Sequence, residues 1–133
     1  MSEKSNIKTV ESVYEAFGRG DVAAILETVT DDVDWSTEAA GNGAPWYGRR
    51  NGKEALAQWF GEIGSTIDVE EFTLRAFGSN DTDVFTVVHF RARVRSMGKS
   101  VEMDLHHWFR FVDGKIAYYR GTEDTAATSA AFS

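Results

Sequence analysis

The stretch from Val101 to Asp124, VEMDLHHWFRFVDGKIAYYRGTED, predicts two long strands joined by the tight turn Val112-Asp113-Gly114-Lys115. Asp-Gly between two alternating, aromatic-rich runs is a strong hairpin signal, because a two-residue turn that matches the twist of its strands needs positive φ at both positions. Side chains alternate across a strand, so Val101, Met103, Leu105, His107, Phe109 and Phe111 share one face. Glu102, Asp104, His106, Trp108 and Arg110 share the other. The first face is apolar apart from His107. A single titratable group set in an apolar wall is the pattern of a small-molecule pocket.

The segment Val84 to Met97 predicts the neighbouring strand and fixes which side is interior. Its even positions Val84, Thr86, Val88, Phe90, Ala92 and Val94 are mostly apolar, whereas Phe85, Val87, His89, Arg91, Arg93 and Arg95 turn basic. The even set must face inward, leaving an arginine stripe outside, beside Glu102, Asp104, His106 and Arg110. That outer face reads either as a solvated, cross-strand-paired surface or as a homodimer interface that buries Trp108. A tryptophan among polar residues favours the dimer.

Upstream, Ile7, Val10, Val13, Tyr14 and Phe17 repeat at helical spacing, which predicts a helix over residues 5–18 capped by Ser5 and stopped by Gly18-Arg19-Gly20. Asp21 is the expected cap of a second helix with Val22, Ile25, Leu26 and Val29 on its apolar face. Val33 to Thr37 predicts a short strand. Glu38 to Arg50 predicts a Gly-rich loop. A third helix is expected from Gly52 to Ser65, with Leu56, Trp59, Phe60 and Ile63 inward. A strand from Val69 to Phe77 precedes the arginine-bearing one. Helices followed by an antiparallel meander give an α+β class. The expected architecture is one domain, residues 1–133: a cone-shaped curved antiparallel sheet wrapped around three N-terminal helices and enclosing an apolar cavity.

Composition narrows the function. A net charge of −7 argues against nucleic acid and anionic membrane surfaces as partners. With no cysteine there is neither a disulfide framework nor a thiolate metal site. The start MSEKSNIK lacks an apolar signal core and no run approaches a membrane span, so the chain reads as cytoplasmic. Asp31, Asp32 and Asp34 lack the glycine turn and distal glutamate of a calcium loop. Gly41-Asn42-Gly43 lacks the Gly-Lys-Ser/Thr that would make a phosphate cradle. It suits a lid with Trp46 and Tyr47 as its apolar contacts, or a loop whose aromatics anchor the third helix. His106 and His107 point to opposite faces, so they make no metal pair, and no metal or cofactor is called for.

The order of elements, with FGRGD closing the first helix, TDDV before the first strand, WYGRRNGKEAL entering the third helix and WFRFVDGKI in the hairpin, resembles the ketosteroid-isomerase-like superfamily, also called nuclear-transport-factor-2-like or SnoaL-like. The resemblance spans nearly the whole chain. It implies a cone-shaped, usually dimeric α+β barrel whose cavity serves isomerisation, epoxide hydrolysis, polyketide cyclisation, dehydration or binding alone, so fold does not fix function. The steroid-isomerase positions fall on Val13 (with Tyr14 beside it), His107 and Thr37, none of which matches. The epoxide-hydrolase positions fall on Val88, Phe90 and Gly121, with Trp35 and Thr37 at the water-binding pair, which excludes that chemistry.

Alternation and these matches together give an expected cavity wall of Trp35, Thr37, Trp59, Phe60, Val88, Phe90, Met103, Leu105, Phe109 and Tyr119, with His107 and Glu123 as its titratable pair. A carboxylate near an imidazole fixes its tautomer and raises its pKa, which prepares a general acid/base. The resemblance implies that SnoaL-type cyclases use a pair of this kind. Two readings of His107 stay open: a catalyst, or a hydrogen-bonded core residue. Three functions follow: a cofactor-independent isomerase, cyclase or dehydratase acting on a hydrophobic ring-type molecule, a binding module using the same cavity, or an interaction domain that uses the outer sheet face.

Overall fold

The computed structural model describes residues 2–41 and 43–133; Asn42, in the middle of the Gly41-Asn42-Gly43 stretch, and Met1 lie outside the described residues. The elements run α1 (Glu3–Arg19), α2 (Val22–Leu26), β1 (Val29–Thr37), β2 (Gly48–Asn51), α3 (Lys53–Thr66), β3 (Ile67–Ser79), β4 (Asp83–Val94), β5 (Ser100–Val112), β6 (Lys115–Thr122) and α4 (Thr125–Ala131). The strands form one curved, unclosed sheet in the order β2-β1-β6-β5-β4-β3. Every pairing is antiparallel except β1 with β6. The meander from β3 to β6 is as expected. The parallel seat of β1 beside β6 is not, because nothing local in the sequence specifies a contact that distant in the chain.

The hairpin turn closes at Val112 and Lys115, with Asp113 at φ 51° and Gly114 at φ 79°. The even residues of β4 are all buried while Phe85 and Arg93 are exposed, so the inward face is the one read from alternation. Two bulges bend β3: Glu70 stands extra between the pairs Val69↔Ala92 and Glu71↔Arg91, and Arg75 between Leu74↔Val88 and Ala76↔Val87. This curvature carries β3 round the helices. α3 lays Leu56, Trp59, Phe60 and Ile63 into the core as its spacing predicts.

The boundaries differ where a local signal is shared. Ser2 rather than Ser5 caps α1, its side chain accepting from the Ser5 backbone N–H, and Glu3 then sits in the first turn, where a negative charge suits the helix dipole. Val29 leaves α2 and opens β1, fully buried, because α2 ends at Leu26 and the Thr28 hydroxyl bonds back to Ile25. The end of the expected Glu38 to Arg50 loop becomes β2, paired along β1. β4 stops at Val94, short of Met97, where Gly98 at φ 68° turns the chain. The C-terminal α4 went unpredicted: its small residues carry no apolar stripe, yet Asp124 caps it and Thr128 and Ala131 are buried.

On the outer face the arginine stripe is paired across strands: Arg91 with Glu70 and Glu71, Arg93 with Glu70, and Arg95 with Asp68. At the β4 start, Asp83 is a buried carboxylate that accepts both arms of Arg110 (3.0 and 3.1 Å) and Trp108 Nε1–H (3.0 Å). Arg110 in particular holds the Asp83 carboxyl below its ordinary pKa. Asp83→Ala removes three bonds to one charged acceptor and is expected to cost about 2 kcal/mol, measured by urea unfolding. Because the folded pKa is depressed, this stabilisation is present above the usual carboxylate range and is lost as pH falls through the folded value. The difference between wild type and variant should therefore shrink in strong acid.

Candidate functional site

The helices and the concave side of the sheet enclose a cavity of about 80 Å³. Of the expected wall, Trp35, Thr37, Trp59, Phe60, Phe90, Leu105, Phe109 and Tyr119 line it, as do His107 and Glu123. Val88 and Met103 do not: both are buried, but Leu105 beside Val88 is longer and reaches the wall where valine stops. Phe90, the register partner of Met103, occupies the wall at that level. The helices contribute Val13, Tyr14, Phe17 and Ile63, which expectations based on strand alternation passed over. Tyr14 had a signal in the sequence: a phenol on the apolar face of a helix needs a partner for its hydroxyl.

The walls are aromatic and mutually locked. Trp35 stacks on Tyr119 with ring centres 3.9 Å apart, and Phe109 meets Trp35, Tyr14, His107 and Tyr119 edge-on or tilted. Gly121 is required here, since a Cβ would run into the Tyr119 hydroxyl. The cavity is well below the ~300 Å³ of pockets for drug-sized molecules. In this form it admits a molecule of about one ring; a fused polycycle needs the walls to move.

Two polar clusters interrupt the apolar lining. In the first, the Tyr14 hydroxyl lies 2.7 Å from Thr86 Oγ1 and 2.7 Å from His107 Nδ1. The phenol is the strongest acid of the three and imidazole nitrogen the strongest base, so Thr86 donates to Tyr14 and Tyr14 donates to Nδ1. That order puts the His107 proton on Nε2, which has no partner among the described residues. His107 is half-buried and lines the cavity, and burial holds its pKa at about 3, with a smaller contribution from His106. The imidazole is therefore neutral at physiological pH. Burial likewise raises the Tyr14 and Tyr119 phenols, so both stay protonated donors.

In the second cluster, Glu123 accepts from Trp46 Nε1 (3.1 Å), Tyr47 Oη (3.0 Å) and Thr128 Oγ1 (2.5 Å). Trp46 is itself fixed by accepting Trp59 Nε1–H on its carbonyl (2.8 Å), so this loop aromatic anchors α3 and lines the cavity, while Tyr47 does not line it. Glu123 and His107 share no hydrogen bond. β6 pairs Gly121 with His107, leaving Glu123 two residues further along, roughly 7 Å of strand. The sequence placed both groups on the inner side but missed their partners, because Tyr14, Trp46, Tyr47 and Thr128 come from elements distant in the chain.

Residues 10–119 match the family described as SnoaL-like domain. The chain belongs to that family. Among curated proteins none matches. Solved structures share the fold of this SnoaL-like domain along essentially its whole length. An NTF2-like protein from Burkholderia xenovorans is 24% identical over 100% of this chain and 99% of its own, with a TM-score of 0.90. An NTF2-like protein from Burkholderia thailandensis is 26% identical over 96% and 97%, with a TM-score of 0.87. TerC, crystallised with polyporic acid, is 19% identical over 96% and 98%, with a TM-score of 0.85. Among the described residues no helix is long and apolar enough to cross a membrane.

Proposed function

We propose that this SnoaL-like domain is a cofactor-independent acid/base enzyme of the isomerase or cyclase kind, acting on a small, neutral, ring-type carbonyl compound. The observation that carries this reading is the Thr86–Tyr14–His107 chain ending on a neutral imidazole in an otherwise apolar cavity. Such an imidazole is a poor proton source but a good fixed hydrogen-bond donor to a carbonyl oxygen. Tyr14 sets its tautomer, and the apolar wall strengthens the bond by keeping water out. Glu123 is the carboxylate at the other end of the site. It takes the proton from the carbon beside the carbonyl, the enolate oxygen gathers charge against His107 Nε2–H, and the proton returns to a different carbon. TerC, which shares this fold, was crystallised with an organic acid, which supports a cavity suited to small organic molecules.

Binding is tested with cyclohexenone as probe. Saturating probe is expected to raise the melting temperature of wild type and to do so less for His107→Phe, which keeps the ring volume but lacks the donor. A cationic or anionic metabolite that stabilises the protein when neutral rings do not would overturn the reading.

A second reading concerns assembly. Phe77 and Phe85 are 55% and 43% exposed, and with Trp108 they line a shallow groove, Phe85 and Trp108 stacking on the outer side of the sheet. We infer a homodimer through this face, which carries Arg91, Arg93, Asp104, His106 and Trp108. Sedimentation should give twice the chain mass, and Phe85→Glu or Trp108→Glu should return it to one. A monomeric wild type contradicts the inference.

A further inference from the structure

We propose that the outer sheet face carries a zinc-type cation site formed by His89, Glu71 and Glu102, with Asp104 positioning the imidazole. The site is remote in role from the cavity and uses none of its residues.

The sheet itself assembles it. His89 is on the middle strand β4, paired with Asp104 on β5, while Arg91, two residues along, is paired with Glu102 on β5 and Glu71 on β3. Period-two alternation brings His89, Glu102 and Asp104 to one face. Glu71 joins them because the extra Glu70 resets the phase of β3 immediately before it. One ligand atom from each of Glu71, His89 and Glu102 lies within 4.8 Å of the other two. Around a tetrahedral zinc with bonds of ~2.1 Å, ligand atoms lie ~3.4 Å apart. His89 Nε2 and Glu102 Oε2 are now 2.6 Å apart and would open, while Glu71 would close. These are side-chain adjustments, with no change in strand register.

Asp104 distinguishes this cluster from a mere ion-pair ladder. It takes His89 Nδ1 at 2.8 Å, leaving Nε2, now hydrogen-bonded to Glu102 at 2.6 Å, as the nitrogen a metal would take on displacing its proton. A histidine held on one nitrogen by a carboxylate and offering the other is the usual arrangement of a zinc-ligating imidazole. Glu71 would exchange its present bonds from Arg91 (3.2 Å) and Thr73 (3.3 Å) for the metal, while Arg91 keeps Glu70 at 3.4 Å. One imidazole and two carboxylates, with water in the fourth position, suit zinc rather than magnesium, which prefers an octahedral shell of oxygens. A bound cation would pin β3, β4 and β5 together across the convex side of the sheet.

Titration calorimetry of the intact chain with zinc chloride in a non-chelating buffer tests the site. One zinc per chain is expected, with Asp104→Asn weakening it 10- to 100-fold and Glu102→Gln weakening it further. His106→Ala and His107→Phe should leave it unchanged. Cobalt(II) should shift and broaden the His89 ring protons in the NMR spectrum of the unmutated protein, a readout that needs no variant to fold. Absence of stoichiometric binding, or binding lost with His106 or His107 and retained in Glu102→Gln, overturns the proposal, as does cobalt that leaves the His89 signals unmoved.

Discussion

Phe109→Ala is expected to destabilise the protein by about 4 kcal/mol. Phe109 is 1% exposed and packs against Tyr14, Trp35, His107 and Tyr119. Truncation forfeits the transfer free energy of the ring and leaves a void that the interlocked aromatics cannot close. Chemical unfolding measures the loss; a cost under about 1.5 kcal/mol would mean that the wall collapses freely and is not the rigid surface described here. The void joins a cavity that already exists, so the variant should accept a larger neutral ring than wild type and recover part of its melting temperature when that ring binds.

His107 gives the second large effect, through pH. Its folded pKa of about 3 lies below the 6.5 of an unburied imidazole. As pH falls from 6.5 the unfolded chain takes up a proton that the folded chain refuses, so acid favours unfolding. The slope is about 1.4 kcal/mol per pH unit, or ~3 kcal/mol by about pH 4. His107→Phe removes this linkage. Unfolding free energies of wild type and variant, compared between neutral pH and about pH 4, should diverge by that amount, with the variant losing less. Parallel curves would show that the imidazole is solvated and titrates normally. In the NMR spectrum the His107 ring protons should not move across the neutral range.

The fold is legible in features whose physics is local: an Asp-Gly turn between alternating strands, a helical stripe, and arginines on one side of β4. Burial follows the alternation of β4 at every even position, whereas in α1 only Val10 and Val13 of the stripe are fully buried and Ile7, Tyr14 and Phe17 partly so. The parallel β1–β6 pairing escaped because its partners lie far apart in the chain, and the short β2 and α4 because neither carries an apolar periodicity of its own. The cavity was legible to the same degree. His107 and Tyr119 were placed on its wall by strand alternation, Trp35 by the family resemblance, and Glu123 by both, and all four line it. Their hydrogen bonds were not legible, because α1 supplies Tyr14 and the Gly-rich loop supplies Trp46 and Tyr47. The consequence is chemical: a Glu123 close to His107 would raise the imidazole pKa and burial away from it would lower it, and burial is the outcome, with a smaller contribution from His106.

Hydrogen–deuterium exchange at the carbons flanking the carbonyl of cyclohexenone, followed by proton NMR in heavy water, tests the enzymatic reading most directly. Wild type should accelerate exchange over buffer, Glu123→Gln should lower that rate roughly 100-fold or more by removing the base, and His107→Phe should lower it by a similar factor through loss of the oxyanion donor. His106→Ala, on the opposite face of the same strand, should leave it intact. If wild type binds the ring but exchanges no faster than buffer, or if Glu123→Gln exchanges as fast as wild type, the cavity is a binding site without the chemistry assigned to it.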